Sequence, residues 1–466
     1  MMDIKTLAAE RRPALEAAQR KLEEAGVEFL LTHNPDIAGN LRTKLGPLKF
    51  APEGEALCAI LLSTAHADGE PNGDTAFKTD LASADTGYAN IQALADPASI
   101  RVHGWNPKVA SVICNSFLLD GSESPVDMRG ILAAQEARAA AMGYSVKCAL
   151  EFEFGLFHAD VDKMNAGRYR ELKPWGHSLV NFDILHSGDY QAVMMELMAR
   201  LSSLGIVLPA VTTEYGYGMY EVALPPKSPL EAADDAARVK LHIREFAAER
   251  GLVATFMARF QPPGKESACG AHHHISLWRN GANIFAGPGR EISETAGHFL
   301  AGLLGNMRES HLFFRPTVNS YRRIDRSAWS PEDVSWGYEN RMAAIRAITT
   351  PAAGAARFEH RVPGSDINPY LTMAAILAAG LDGIEAGIAP IAPTPGSPDP
   401  ALHERLPHSL QASIDAFAGS AFIERIFGAA FQRHYVASRA FEIEAFDKWL
   451  ASHITDFEWR RYFIGT

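Results

Sequence analysis

The chain has 466 residues, 47% of them hydrophobic and 21% charged, the balance of an ordinary soluble globular protein with room for two domains. A formal net charge of −11 excludes a protein that coats nucleic acid non-specifically, since that work needs clustered Lys and Arg against phosphate. Cys58, Cys114, Cys148 and Cys269 share no C-x-x-C or framework spacing and read as reduced thiols. The amino terminus shows no signal-peptide pattern and no run approaches the ~20 apolar residues of a membrane helix, so the expected location is the cytoplasm.

In chain order, residues 5 to 25 form an amphipathic helix with Leu7, Ala8, Leu15, Ala18 and Leu22 on its apolar face. Val27 to Thr32 reads as a buried strand, followed by a polar turn around Asn34-Pro35-Asp36. Residues 57–62 and 109–114 are apolar runs of strand length, and 65–90, rich in Gly, Asp and Thr, reads as a binding or solvated loop. Pro125 to Met142 is helical, with a domain boundary near residue 120. Further helices are expected near 188–203, 230–249, 293–306 and 371–388, then a Pro-rich connector over 390–400 and an amphipathic helical region from His408 to Trp459.

Three strand-like stretches carry the chemistry. In Arg357-Phe358-Glu359-His360-Arg361, alternation puts Arg357, Glu359 and Arg361 on one face and Phe358 and His360 on the other. An internal salt bridge would explain that pattern alone. However, Leu150 to Phe154 places Glu151 and Glu153 together, and His272 to Leu277 places His272, His274 and Ser276 together. With Glu214 and Glu221 from a Gly/Tyr-rich stretch, these residues offer the carboxylates and imidazole that Mg²⁺ or Mn²⁺ accept, and a two-ion site of that kind clamps polyphosphate. Solvated loop charges and a surface histidine cluster would account for the same residues taken one at a time.

Six motifs in order give the chain a resemblance to the glutamine synthetase family over residues 148 to 388. They are the Glu151/Glu153 strand; the Glu214/Glu221 pair; His272 to Leu277; Pro316 to Arg323; Asn340-Arg341 through Arg346; and R-x-E-x-R followed by Asn368-Pro369-Tyr370-Leu371. The resemblance implies an α+β fold: a small amino-terminal β-grasp domain over 1–120 and a catalytic domain over 121–466, whose curved antiparallel sheet is flanked by helices. It implies an ATP-dependent ligase of a homo-oligomeric ring, a dodecamer of two hexamers, that phosphorylates the γ-carboxylate of glutamate before a nitrogen nucleophile displaces phosphate.

By position in those motifs, Glu153, Glu214 and Glu221 match ligands of one metal ion, and Glu151, His272 and Glu359 match those of the ion on the ATP phosphates. His274, Ser276, Arg346 and Arg357 fall on the nucleotide side, and Arg323, Arg361 and Gly270 on the glutamate side. Arg341 and Arg346 match arginines facing the transferred phosphoryl group. Paired guanidinium donors suit carboxylate and phosphate, and phosphoryl transfer needs positioning and charge neutralisation above all.

Three departures mark this chain. Ammonia-using members carry a glutamate that closes the site and deprotonates ammonium, and Trp329, within Ser327 to Pro331, stands at that position. An indole accepts no proton but offers an apolar, π-rich wall, so the expected nucleophile is an organic amine, as in the γ-glutamyl-amine ligases. The alternative is that Trp329 packs a loop and Glu332 or Glu339 supplies the carboxylate. Ser267-Ala268-Cys269-Gly270 replaces the usual Asn-Gly-Ser-Gly, and Gly354 replaces a lysine expected before R-x-E-x-R. An ammonia-using glutamine synthetase and a catalytically silent ring are the rival readings.

Overall fold

The computed structural model describes residues 4–64, 76–176, 180–183, 188–261, 268–325, 329–349 and 352–464. Two sheets organise them. The smaller holds β1 (Phe29–Pro35), β2 (Leu41–Pro47), β3 (Glu55–Cys58), β4 (Asn90–Ala95), β5 (Arg101–Val102) and β6 (Val109–Phe117) in the order β2-β1-β6-β4-β3, with β5 also on β6. β1 and β6 run parallel at its centre. A first helix, α1 (Ile4–Glu24), buries Ile4, Ala8, Leu15 and Leu22 at helical spacing.

The larger sheet holds β7 (Ser145–His158), β8 (Ala210–Thr213), β9 (Met219–Ala223), β10 (Leu252–Thr255), β11 (His273–Arg279), β12 (Ala282–Asn283), β13 (Trp336–Tyr338), β14 (Ile345–Ile348) and β15 (Arg357–His360). Its order is β13-β14-β15-β11-β7-β9-β8, with β10 on β7 and β12 on β11. β7 is long enough to pair with β11 at its start and with β9 and β10 further on. Val146, Cys148, Leu150, Phe152 and Phe154 alternate into the core, which turns Glu151 and Glu153 to the other face.

The helices that follow α1 are α2 (Ile60–Ser63), α3 (Met128–Ala141), α4 (Val161–Asn165), α5 (Gly188–Ser203), α6 (Pro229–Ala248), α7 (Glu294–Gly305), α8 (His311–Phe314) and α9 (Pro369–Ala386), of which α3 and α6 pack on β7. The carboxy-terminal region is four helices, α10 (Leu410–Ala418), α11 (Ala421–Phe427), α12 (Ala429–Ala451) and α13 (Asp456–Tyr462). Side-chain caps from Ser409, Ser420 and Thr455 start three of them. The fold is α+β, as expected from the sequence.

Two local expectations are corrected. The apolar run over 57–62 is one strand only as far as Cys58, because Ala59 turns helical and Thr64 Oγ1 bonds back to the Ile60 carbonyl. The polar turn falls after Pro35, where Asp36 Oδ1 accepts from the amides of Ala38 and Asn40. Part of the expected 65–90 loop, residues 65–75, lies outside the described residues.

Two connections lock the sheets together. Arg129 on α3 binds Asp234 of α6 through Nε at 3.0 Å and Nη2 at 2.8 Å, while its Nη1 reaches Asp96 at 2.7 Å beside the smaller sheet. Asn368 caps α9 with its Oδ1 and donates from Nδ2 to the Asp36 and Ile37 carbonyls. The strand carrying R-x-E-x-R is thus followed at once by a helix start anchored to the β1–β2 turn.

α9 crosses α7 at glycines. A Cβ on Gly302 would overlap the Ala379 carbonyl oxygen, and one on Gly383 the His298 carbonyl oxygen. Backbone cannot yield as a side-chain tip can, so Gly302→Ala is expected to destabilise the fold by roughly 1–3 kcal/mol, the usual cost of overpacking. Denaturant unfolding of the variant checks this, and an unchanged midpoint would contradict the close crossing.

Candidate active site

The polar faces of β7, β9, β11, β14 and β15 meet over one cleft. Arg346 on β14 lies opposite Glu359 on β15, which lies opposite His274 on β11, so one cross-strand row runs guanidinium, carboxylate, imidazole. On the next strands Glu153 stands directly opposite Glu221. Phe358 packs on Phe285 at 4.8 Å and His360 on Phe314 at 4.5 Å, so the core face of R-x-E-x-R is the one alternation indicated.

Glu151 is gripped by both histidines: His272 Nδ1 lies 3.3 Å from Oε2 and His274 Nε2 2.9 Å from Oε1. His272 Nδ1 is also 3.4 Å from Glu359. One donor atom each from Glu151, His274 and Glu359 lies within 4.8 Å of the others. Arg357 Nε donates to His274 Nδ1 at 3.1 Å, and because arginine only donates, the His274 proton belongs on Nε2, toward Glu151. That tautomer makes His274 an orienting donor to Glu151 in this state, and leaves His272 as the imidazole between both carboxylates.

The carboxylates divide into two electrostatic groups. Burial opposes ionisation of Glu151, yet the hydrogen bonds from His272 and His274 outweigh it and hold the carboxyl well below the usual range. Burial is likewise overcome at Glu359 by Arg361, then His272 and His274, bringing it down to about 2. Burial pushes Glu153 up to about 6 against the pull of Arg323. Glu214 rises to about 8 through burial and then Glu153, and Glu221 to about 9 through burial and then Glu151 and Glu153. A cation would relieve both the burial cost and the mutual repulsion of these acids, and their carboxylate oxygens with an imidazole nitrogen are a donor set that Mg²⁺ or Mn²⁺ fits.

Three of the arginines are held in place. Arg346 spans Glu359 (Nη1, 3.0 Å) and Glu339 (Nη2, 2.8 Å). Arg361 donates from Nη1 to Glu359 and from Nε to the Arg341 carbonyl. Buried Arg323 donates to the Val362 carbonyl at 2.8 Å. Arg341 shares this corner through its main chain, while its side chain is exposed. Gly270 donates its amide to Glu153 at 2.8 Å, and a Cβ there would come within 2.8 Å of both Arg323 Nη2 and His272 Nε2, so a side chain at this position would push these groups aside.

Beside the row lies a cavity of about 340 Å³ lined by Glu151, His274, Ser276, Trp278, Gly354 and Arg357. Ser276 accepts from Trp278 Nε1 at 3.0 Å, and Lys147 stands 3.6 Å over the indole. Gly354 sits in a short turn whose carbonyl, with that of Ala356, accepts from Asn283.

Trp329 is 50% exposed with a left-handed backbone, φ 55°. A bulky residue rarely sits there, and such strain persists only where neighbours enforce it. Buried Arg315 does so by donating to Ser330 Oγ and the Pro331 carbonyl. Residues 326–328, and Ser267 in the other departing motif, lie outside the described residues. Glu332 is paired with Arg405 at 2.7 Å, and Glu339 with Arg346. Sequence reasoning missed the clamp on Arg346, and also Ser365, whose hydroxyl donates to the Glu153 and Gly270 carbonyls. Neither residue carries a spacing signal, and loop closure alone brings each to the strands.

Comparison with known proteins places these strands in context. Residues 125–462 match the family model described as glutamine synthetase, catalytic domain. A glutamate–isopropylamine ligase of a Pseudomonas species is 35% identical over 81% of this chain and 82% of its own. A γ-glutamylethanolamide synthetase of Streptomyces coelicolor is 31% identical over 98% of this chain and 97% of its own. A solved structure of GmaS without ligand superposes with a TM-score of 0.77 at 28% identity, covering 96% of this chain and 99% of that one.

The acid cluster sets a test that needs no substrate. Adding Mg²⁺ or Mn²⁺ is expected to raise the thermal midpoint, because an ion that binds only the folded state stabilises it by mass action. Glu221→Gln is expected to raise the midpoint of the metal-free protein and to shrink the rise produced by metal. A lower metal-free midpoint in that variant would contradict the repulsion.

Proposed function

The chain belongs to the glutamine synthetase family, and from that premise we propose an ATP-dependent ligase that activates the γ-carboxylate of glutamate as an acyl phosphate and passes the acyl group to an organic amine. The observation that carries the choice of nucleophile is Trp329, held in a strained loop where a proton-accepting glutamate would serve ammonia. Two relatives named for amine ligation support the same choice.

In this reading Glu153, Glu214 and Glu221 hold one Mg²⁺ or Mn²⁺, and Glu151, His272 and Glu359 a second. Bound there, the ions supply charge neutralisation for the phosphates of ATP. Arg323, Arg361 and Gly270 receive glutamate, while His274, Ser276 and Arg357 line the nucleotide cavity. A γ-carboxylate oxygen attacks the terminal phosphorus, and ADP leaves. Arg346, already oriented by Glu359 and Glu339, and Arg341 face the phosphoryl group as its charge spreads in the transition state. The amine nitrogen then attacks the acyl carbon, inorganic phosphate departs, and the nitrogen sheds one proton. Trp329 covers the alkyl or aryl group of the amine and excludes water from the acyl phosphate.

The reading extends to the whole molecule: a β-grasp domain over 1–120, a catalytic domain over 121–466, and a cytoplasmic homo-oligomeric ring of two hexamers. No helix among the described residues is long and apolar enough to cross a membrane.

Phosphate release from ATP with glutamate and a panel of amines tests the proposal. Small organic amines are expected to outpace ammonia; faster turnover with ammonia than with every amine would overturn the nucleophile, and no release with any acceptor would favour a silent ring. Glu359→Ala is expected to cut turnover at saturating Mg²⁺ by at least about a hundredfold, the upper range for losing a mere supporting partner of a metal ligand. Trp329→Glu is expected to move preference toward ammonia, and unchanged selectivity would remove the indole from the account.

A further inference from the structure

Apart from the catalytic cleft, a cavity of about 290 Å³ opens where the turn after β1, α6, the end of β10 and α12 meet. Its lining carries two cations and two carboxylates. Lys240 and Arg244 sit one turn apart on α6, Asp366 follows β15, and Glu442 projects from α12. Phe256 and Met257 supply an apolar side.

Among the described residues, hydrogen bonds answer Lys240, Arg244 and Asp366 only in part. Lys240 is 4% exposed and gives two of its three donors to the Ser365 and Ile367 carbonyls, each at 3.1 Å. Arg244 spends one donor on Asn40 Oδ1 at 2.9 Å and stacks 5.1 Å from the Phe256 ring. Asp366 Oδ2 accepts from Thr317 and Ser320, but its buried Oδ1 has no partner among the described residues. Burial lowers Lys240 to about 7 and raises the carboxyl of Glu442 against the pull of Arg439. Buried charges without partners are costly, so a site with both signs favours a ligand with both.

The floor of this cavity is also the back of the catalytic cleft. Ser365, whose carbonyl Lys240 holds, donates its hydroxyl to the Glu153 and Gly270 carbonyls. Ser320, held by Asp366, lies in the short helix that carries Arg323.

We propose that this cavity is a second ligand site that takes a small zwitterion, its carboxylate on Lys240 and Arg244 and its ammonium on Asp366 and Glu442, and that occupancy is felt in the catalytic cleft through residues 317–323 and 365–367. A lone anion would leave both carboxylates unanswered, and a lone cation both basic groups. The volume, at the lower edge of small-molecule pockets, limits the ligand to a few heavy atoms beyond its charged ends. Only the coupling rests on the ligase reading; the site itself stands on its own residues.

Calorimetric titration of the full chain with N,N-dimethylglycine tests the site, because a tertiary nitrogen cannot end as a neutral amide and so cannot be consumed as acceptor. One saturable site per chain is expected with saturating glutamate present, and acetate or trimethylammonium should bind about tenfold weaker or worse, the loss of one charged hydrogen-bonding end. Glu442→Gln should weaken binding to a similar degree while leaving γ-glutamyl amide formation without dimethylglycine unchanged. Met257→Trp, at the rim, should block entry with every charge kept. Dimethylglycine should also change the amide-forming rate of the parent protein and not that of Glu442→Gln. Absence of saturable heat, displacement by glutamate, or equal binding in both variants would overturn the site. Saturable binding with an unaltered rate would overturn the coupling. Failure of the ligase reading would appear separately, as no phosphate release in the absence of dimethylglycine.

Discussion

The molecule is arranged around two carboxylates that face each other on neighbouring strands. Glu153 and Glu221 are directly opposed across β7 and β9, a pairing that like charges disfavour. The core enforces it. Phe152, Phe154, Tyr220 and Val222 are buried on the other face, and a slip of one residue by either strand would turn its own buried pair to the cleft. Apolar burial therefore sets the register, and the register sets the acids together, with Glu151, Glu214 and Glu359 close enough to add to the repulsion. A fold that spends stability to hold acids in this way is preorganised for positive charge.

The basic side of the cleft is built by the opposite device. Three arginines that face it are fixed by an acid or a main-chain carbonyl: Arg346 by Glu359 and Glu339, Arg361 by Glu359 and the Arg341 carbonyl, Arg323 by the Val362 carbonyl. A guanidinium keeps spare donors after one such bond, so orientation is settled before any substrate arrives. Strands and the residues at their ends thus hold most of the groups proposed to activate a carboxylate, with Arg323 added from a short helix. The residue proposed to choose the nitrogen, Trp329, stands on a strained loop anchored from behind by Arg315. A change of nucleophile within such a fold would ask for changes in the loop and none in the sheet.

What could be read from the sequence follows the same division. E-x-E, H-x-H and R-x-E-x-R were legible because a strand alternates strictly, so spacing alone says which side chains share a face. Helix positions were legible from apolar spacing and caps. The break after Cys58 was not, since an apolar run looks alike in strand and helix, and one backbone angle at Ala59 decides it. The clamp of Glu339 on Arg346, the tie from Ser365 to the Glu153 strand, and the meeting of Lys240 with Asp366 and Glu442 depend on how loops and distant helices close over one another. Such contacts leave no periodic trace.

In the proposed mechanism, carboxylate activation is complete without the loop that selects the amine. Positional isotope exchange in ATP labelled at the β–γ bridge oxygen measures this most directly, because reversible transfer of the γ-phosphoryl group to glutamate frees the bridge oxygen to change places. With divalent metal and glutamate but no amine, scrambling should occur, and at the same rate in Trp329→Glu as in the parent chain. Scrambling that needs an amine, or that disappears in Trp329→Glu, would contradict the account.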